Sequence, residues 1–165
     1  MGEAVTQVEA SFQELAAREG KYLTFVLGKE EYGLEILKVK EIIGMMDITS
    51  VPNVPSYVKG VINLRGKVIP VVELRLKFGM ESIPYTERTC IIVVDVQVKG
   101  CLALVGIVVD AVSEVLNINR EEIENTPNFG TEMDTNYILG MAKVKGQVKI
   151  LLDIDQVLDN SEMAL

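Results

Sequence analysis

The chain has 165 residues, with 16 basic and 24 acidic side chains and a formal net charge of −8. It contains no histidine, which excludes histidine general bases, serine–histidine and cysteine–histidine nucleophile pairs, and the usual zinc sites. The acidic balance argues against nucleic acid and anionic membranes as partners, because phosphate groups attract clustered lysine and arginine. The length fits one domain or two small ones.

The first twenty residues are predicted to form a flexible N-terminal extension. Val5, Val8, Phe12 and Leu15 recur there at helical spacing, but an isolated helix of this length is marginal in water. A helix that docks on a partner is the alternative.

No membrane-spanning or targeting segment is predicted. The chain opens with polar and acidic residues, and its longest apolar stretch, Cys101 to Val109, is far shorter than the ~20 residues that a membrane helix needs. We therefore expect a cytoplasmic protein without direct membrane insertion.

Alternating apolar runs, rich in valine and isoleucine and bounded by glycine or proline, predict β-strands. Five strands are predicted in each half of the chain, with short helical turns, and residues 155–163 are predicted to add a short C-terminal helix. In chain order the predicted strands are Lys21 to Leu27, Glu31 to Leu37, Glu41 to Ile48, Gly60 to Arg65, Lys67 to Leu74, Thr89 to Val98, Cys101 to Asp110, Ser113 to Ile118, Tyr137 to Val144 and Gln147 to Ile154.

An internal repeat relates the two halves. Tyr57 to Phe78 aligns on Tyr137 to Leu158 without a gap. The matched glycines make independent convergence on hairpin composition the weaker interpretation. Further matches lie upstream, with small offsets: Gly33 with Gly106, Val39 with Val112, Glu41 with Glu114, and Ile42 with Val115.

Each repeat is expected to close into a small barrel, because five short strands cannot bury both faces of an open sheet and closure removes exposed edges. The first barrel is placed at residues 21–85 and the second at residues 86–158, within one domain of residues 1–165. Ile91 to Val94 and Val105 to Val109 are apolar on both faces, which indicates a core shared by the two barrels. The predicted fold class is all-β.

No motif for a phosphate loop, a nucleophile elbow or a zinc protease occurs, so neither an enzyme nor a cofactor or metal site is expected. A hydrolase that uses carboxylates on a small barrel remains an alternative. Cys90 and Cys101 lack metal-ligand spacing and are interpreted as small apolar residues in a reducing compartment, with a disulfide left open.

Several residues are candidates for binding a partner. Arg65 lies beside a hairpin turn, and Glu41 interrupts an apolar series. Val39 and Glu41, two residues apart, are expected to point outward together as an apolar and acidic strip suited to a partner helix. Backbone geometry explains Gly60, with close approach of a partner as an additional possibility. Ordinary solvated side chains are the alternative for Arg65 and Glu41.

Three long segments of the chain carry a family resemblance: EEYGLEILKVKEIIG (30–44), VPNVPSYVKGVINLRGKVIPVVELRLKFG (51–79) and VGIVVDAVSEVL (105–116). They strongly resemble the CheW family of bacterial chemotaxis coupling proteins, in register from about Lys21 to Leu158. The resemblance implies two five-stranded SH3-like barrels on a common core, without enzymatic activity. It also implies an adaptor that joins the tips of methyl-accepting chemoreceptors to the regulatory domain of the histidine kinase CheA, recruited to membrane-associated arrays.

The resemblance also implies where the partners bind. A coupling domain of a different two-component scaffold is the alternative function within this resemblance. Kinase contact is assigned only regionally, to strands within Leu23 to Ile36 of the first barrel. The receptor-facing positions of the family fall on Val39, Glu41, Gly60, Arg65 and Val112.

Overall fold

The computed structural model describes residues 19–98, 100–125 and 137–158. Within these residues the chain forms eleven strands, two short α-helices and two 3₁₀ turns. The strands are β1 (Gly20–Leu27), β2 (Glu30–Glu35), β3 (Val39–Gly44), β4 (Val58–Leu64), β5 (Lys67–Glu73), β6 (Cys90–Val98), β7 (Cys101–Val109), β8 (Ala111–Ile118), β9 (Ile123–Glu124), β10 (Ile138–Val144) and β11 (Gln147–Leu152). The helices are α1 (Leu74–Lys77) and α2 (Ile154–Leu158), and the 3₁₀ turns are Ile36–Lys38 and Arg120–Glu122.

The all-β prediction is confirmed, and each of the ten predicted strands is present with ends shifted by a few residues. Strand β9 and helix α1 were not predicted, because two and four residues are too short to show a periodic pattern. Helix α2 confirms the start of the predicted C-terminal helix. The rest of that helix and the N-terminal extension lie outside the described residues.

The strands form two sheets. In sheet A the order is β8-β1-β2-β11-β10-β9, and in sheet B it is β3-β6-β7-β5-β4. Strand β2 runs parallel to β11, and β5 runs parallel to β7, while the other neighbours are antiparallel. Each sheet therefore contains strands from both repeats.

The predicted boundary near residue 85 is consequently wrong as a boundary between the two sheets. The first hairpin of each repeat, β1–β2 or β6–β7, leaves its own repeat and pairs in parallel with the last strand of the other. Turns and alternation specify hairpins locally, but they do not specify which distant strand a hairpin joins.

The structure confirms the internal repeat. Replacing the first five strands of sheet A by their equivalents in the other repeat reproduces the order of sheet B, and β9 has no equivalent strand there. Gly33 and Gly106 lie at equivalent parallel pairings, opposite Leu151 and Val71. A Cβ atom would lie 2.9 Å from Leu151 Cδ2 at Gly33, and 2.8 Å from Ile91 Cγ2 at Gly106. Both matched glycines therefore permit a close approach of side chains from neighbouring strands.

The sheets are not closed barrels, contrary to the prediction. In sheet B, the edge strands β3 and β4 are joined beyond the end of β3 by one backbone bridge between Thr49 and Val61, with N···O distances of 2.8 and 2.9 Å. In sheet A, the two-residue strand β9 makes the equivalent pairing with β10. Closure is incomplete because the chain leaves the sheet after Gly44 and returns only at Thr49.

The predicted shared core is confirmed. Ile92, Val94 and Ile107 of sheet B are buried in one cluster with Phe25 and Leu34 of sheet A. The alternate residues of β6, Ile91 and Val93, belong to a smaller cluster inside sheet B. Both faces of the central strands are thus covered, which accounts for their uninterrupted apolar sequence.

Candidate partner-binding site

Arg65 and Glu41, both predicted to contact a receptor, form an ion pair in the structure. Arg65 and Gly66 adopt positive φ angles of 49° and 86° in the two-residue turn between β4 and β5, as the tight turns of β-hairpins require. The Gly66 N–H donates to Asn63 Oδ1 at 2.9 Å, which stabilises the turn. The hairpin thereby holds the Arg65 guanidinium against Glu41 on β3.

This pair lies along the incompletely closed seam between β3 and β4. Thr49 and Val61 bridge one end of the seam, and Glu41 and Arg65 join its other end. The hydrogen bond to Glu41 raises the pKa of the Arg65 guanidinium above its ordinary value. Because the Arg65 side chain is 71% exposed and that of Glu41 is 31% exposed, a partner can reach both charges.

The repeat does not duplicate this charged pair. The equivalents of Glu41 and Arg65 are Glu114 and Lys145, and no ion pair joins them among the described residues. Lys143 instead pairs with Glu124 at 2.8 Å. An ion pair between the second hairpin turn and the edge strand is therefore specific to sheet B, while sheet A has its exposed pair between β10 and β9.

The predicted strip of Val39 and Glu41 is wrong, because a β-bulge separates the two residues. Val39 lies opposite Val94, whereas Glu41 lies opposite the adjacent residue, Val93. Directly opposed residues of antiparallel strands point to the same face. Val39 therefore packs against the shared core, while Glu41 points to the other face of the sheet.

The same bulge produces an apolar surface that sequence alternation did not reveal. It places Val39 and Ile42, three residues apart, on the face of the shared core, opposite Val94 and Ile92. An equivalent bulge in β8 does so for Val112 and Val115. Ile42 is 45% exposed and Val115 is 51% exposed. The junction surface is defined here as Val39, Ile42, Cys90, Val112 and Val115.

Cys90 connects the two parts of the junction surface. It pairs with Gly44 of β3, and its thiol has a hydrogen bond to the backbone of Val112 in β8. Burial raises the pKa of this thiol, and the Val112 hydrogen bond opposes the increase. Cys101 lies at the opposite end of the same hairpin and both cysteines are free, so the disulfide left open by the sequence does not form.

Ile42 and Val115 are the residues that the sequence reasoning missed at this surface. The repeat alignment contained a signal for them, since both follow a matched glutamate. Their exposure follows only from the bulges and from the position of β3 and β8 at sheet edges.

A contact within the chain itself explains why residue 60 is a glycine. Its φ angle is 146°, and a Cβ atom would lie 2.0 Å from the Thr49 carbonyl oxygen. Gly60 is buried at the point where Thr49 bridges to β4. The close approach is therefore made by Thr49 of the same chain, and a direct contact of Gly60 with a partner remains a prediction.

The region assigned to kinase contact, residues 23–36, lies in the interior of sheet A. Strand β1 pairs with β8 and β2, and β2 pairs with β1 and β11, so neither strand offers a free edge. A partner can reach this region at the turn between β1 and β2, where Gly28, Lys29 and Glu30 are exposed. Leu23, Thr24 and Phe25 of β1 are buried, so that strand has no exposed face there. The region also belongs to the other sheet from Arg65.

Two chemical observations concern the described part of the chain as a whole. No group of three or more cysteine, aspartate or glutamate side chains there could hold a metal ion. None of the helices in these residues is long and apolar enough to cross a membrane.

Comparisons with known proteins agree with the geometry. Residues 21–162 match the family model described as "CheW-like domain". The chain is 42% identical over 145 residues to the chemotaxis protein CheW of Klebsiella aerogenes, covering 88% of this chain and 85% of that protein. It is 34% identical over 140 residues to the chemotaxis protein CheW of Rhizobium meliloti, with 85% and 88% covered.

The fold is also similar to a solved structure, the scaffolding protein TtCheW from Thermoanaerobacter tengcongensis. The TM-score is 0.77 at 33% sequence identity, and the match covers 89% of this chain and 97% of the other. Both relatives are named as chemotaxis proteins, and the solved structure is described as a scaffold. The chain therefore belongs to the CheW-like family and is a chemotaxis scaffold protein, not an enzyme.

Proposed function

We propose that the protein is the adaptor that couples methyl-accepting chemoreceptors to the histidine kinase CheA in membrane-associated arrays. The observation that carries this proposal is the exposed ion pair of Glu41 and Arg65. Glu41 lies on the same edge strand, β3, as Val39 and Ile42. Four of the five positions that the family resemblance assigns to the receptor are thus accounted for by two neighbouring features, the charged pair and the junction surface.

The junction surface is suited to a helix of the receptor tip. An amphipathic helix presents an apolar stripe along one face, and the half-exposed Ile42 and Val115 offer apolar contact to it. Glu41 and Arg65 then supply paired polar contacts at the rim, where charges favour the correct orientation and association rate more than raw affinity. The receptor contact is accordingly an amphipathic helix on an apolar surface with one charged edge.

The kinase contact is proposed for the turn between β1 and β2 in sheet A, where Gly28, Lys29 and Glu30 are exposed. This turn and the Glu41 and Arg65 pair belong to different sheets, so both partners can bind at once. Simultaneous binding converts two moderate affinities into a higher avidity in an array. Receptor signals then reach the kinase as a change in geometry between bound partners, without bond chemistry in this chain.

Calorimetric titration with a soluble receptor-tip fragment tests the receptor contact. Arg65→Glu opposes Glu41 with a second carboxylate, and we expect a roughly tenfold loss of affinity. The double variant Glu41→Arg with Arg65→Glu restores the internal ion pair in the reverse direction. If the receptor contacts these charges directly, the double variant also stays several-fold weaker than the wild type.

The control is binding of the same variants to the regulatory domain of CheA, for which we expect affinities within about twofold of the wild type. Full recovery of receptor binding in the double variant would show that the pair only stabilises the fold. Failure of the wild-type protein to bind either partner would contradict the proposed function itself.

A further inference from the structure

A cavity of about 640 Å³ lies next to the Thr49 end of the seam between β3 and β4. The chain between β3 and β4 forms one side, and the segment that precedes β6 forms another. Its apolar lining includes Met46, Ile83 and Tyr85, which are 37%, 39% and 42% exposed. Methionine and tyrosine can adapt to long side chains with mixed polarity.

A buried carboxylate neutralises the positive charge in this cavity. Lys59 Nζ lies 3.4 Å from Glu73 Oε2, and Ser82 Oγ donates to Glu73 Oε1 at 3.0 Å. Glu73 is only 2% exposed, so its charge is compensated by Lys59 rather than by solvent. Because Lys59 is already paired with Glu73, it attracts an anionic ligand only weakly.

Asp47 provides the remaining charge at the cavity. It is exposed and lines the opening, and it takes part in none of the ion pairs that join described residues. The combination of apolar walls with one unneutralised carboxylate matches a side chain that has an apolar stem and a cationic head.

The cavity is also continuous along the chain with the edge strand of the junction surface. Met46 follows Gly44, the last residue of β3, after one intervening residue, and Ile42 lies on that strand. We propose that this cavity binds a lysine or arginine side chain of the chemoreceptor tip, with its stem against Met46 and Ile83 and its head at Asp47. This proposal rests on the proposed receptor contact and names the chemistry of one anchoring residue.

Titration of the receptor-tip fragment against variants of the full chain tests the proposal. Asp47→Lys is expected to weaken binding roughly tenfold, and Asp47→Asn about threefold, since the neutral variant loses attraction without adding repulsion. Glu121→Lys is the matched control because it makes the same charge change at an exposed carboxylate on another surface. We expect it to stay within twofold of the wild type.

A scan of the fragment identifies the partner residue. Each of its lysine and arginine residues is replaced by glutamine in turn, and every variant is titrated against the wild type and Asp47→Asn. We expect one replacement whose effect disappears in the Asp47→Asn background, which a double-mutant cycle measures directly.

The outcomes separate this proposal from the proposed function. Unchanged binding by Asp47→Lys, or a scan without a coupled basic residue, would overturn the cavity proposal. If Arg65→Glu weakens binding in the same experiments, the receptor contact itself is still supported. A wild-type chain that does not bind the fragment would overturn the receptor contact and the cavity proposal together.

Discussion

Arg75 and Asp155 occupy equivalent positions in the two repeats and make equivalent contacts with opposite charges. Arg75, in α1, donates to both carboxylate oxygens of Asp110 at 2.7 and 2.6 Å. Asp110 in turn accepts the Gly28 N–H at 2.8 Å, in the turn between β1 and β2. The ion pair therefore fastens the exchanged hairpin of one repeat to the helix that follows β5.

In the other repeat, Asp155 of α2 accepts a hydrogen bond from Lys38 Nζ at 2.8 Å. Asp155 also accepts the Gln97 N–H at 2.9 Å, near the end of β6. The same connection between hairpin and helix is thus made with the charges exchanged. In both repeats an ion pair links the hairpin to the helix, and the aspartate of the pair accepts a hairpin N–H. The aspartate lies in the helix in one repeat and outside it in the other.

Asp110→Asn is expected to lower the free energy of unfolding by about 1–2 kcal/mol at pH 7, because it weakens a charge-assisted, bidentate contact. The hydrogen bond from Arg75 lowers the pKa of Asp110 below its ordinary value. The ionised carboxylate therefore stabilises the fold fully above its unfolded pKa of about 4, and this contribution is lost as the pH falls through the folded pKa. Urea unfolding of both proteins from pH 7 down to pH 3 measures the difference, which should shrink only below about pH 4. A constant difference over this range would contradict the assignment.

Gly60→Ala is expected to destabilise the fold by about 2–3 kcal/mol, because the new Cβ atom would collide with the Thr49 carbonyl and the φ angle of 146° is strained for alanine. Gly146→Asn is the matched control. Its φ angle is 78°, no atom lies within 4 Å of the added Cβ, and asparagine tolerates this backbone region. Thermal unfolding should show a large shift for the first variant and a small one for the second. Similar shifts would mean that the contact with Thr49 is not the cause.

Lys149 and Glu31 form an ion pair between β11 and β2, with the Lys149 side chain only 6% exposed. Glu31→Gln leaves the buried ammonium without a counter-charge and is expected to cost about 2 kcal/mol. Lys149→Met removes the buried charge and keeps most of the side-chain volume, so we expect a cost below about 1 kcal/mol. Denaturant unfolding at pH 7 compares the two variants. A larger loss for Lys149→Met would show that the pair itself, not the desolvated ammonium, dominates.

The two cysteines are expected to differ in their reaction with a thiol reagent at pH 8. Cys101 is exposed, whereas burial raises the pKa of the Cys90 thiol and lowers its thiolate fraction. We expect Cys90 to react at least tenfold more slowly, as measured on Cys90→Ser and Cys101→Ser variants. Receptor-tip fragment should slow Cys90 further, because Cys90 belongs to the junction surface. Equal rates in the free protein would contradict the burial of Cys90.

The strands themselves could be predicted from the sequence. Alternation in β4 and the turn at Gly66 are local features, and they indicated the hairpin that holds Arg65. The uninterrupted apolar residues of β6 and β7 indicated two covered faces, and the structure confirmed one shared core. The repeat alignment paired Gly33 with Gly106, and both glycines indeed lie at equivalent parallel pairings.

The bulges decided the candidate site. Strict alternation placed Val39 and Glu41 on one face, but one additional residue in β3 relative to β6 separates them. Neither the exposure of Ile42 nor the contact of Cys90 with Val112 follows from the residue types. These features depend on hydrogen-bond registers with strands about 50 or more residues away.

By itself, therefore, the sequence determined the strand content, the duplication and the two-sided burial of the central strands, since period-two alternation and turn chemistry act over a few residues. Only the tertiary structure decided that the hairpins are exchanged between sheets, that both sheets stay open, and that Glu41 meets Arg65 but Glu114 does not meet Lys145. Parallel pairing and ion-pair formation depend on packing between distant segments, where several arrangements satisfy the same local pattern.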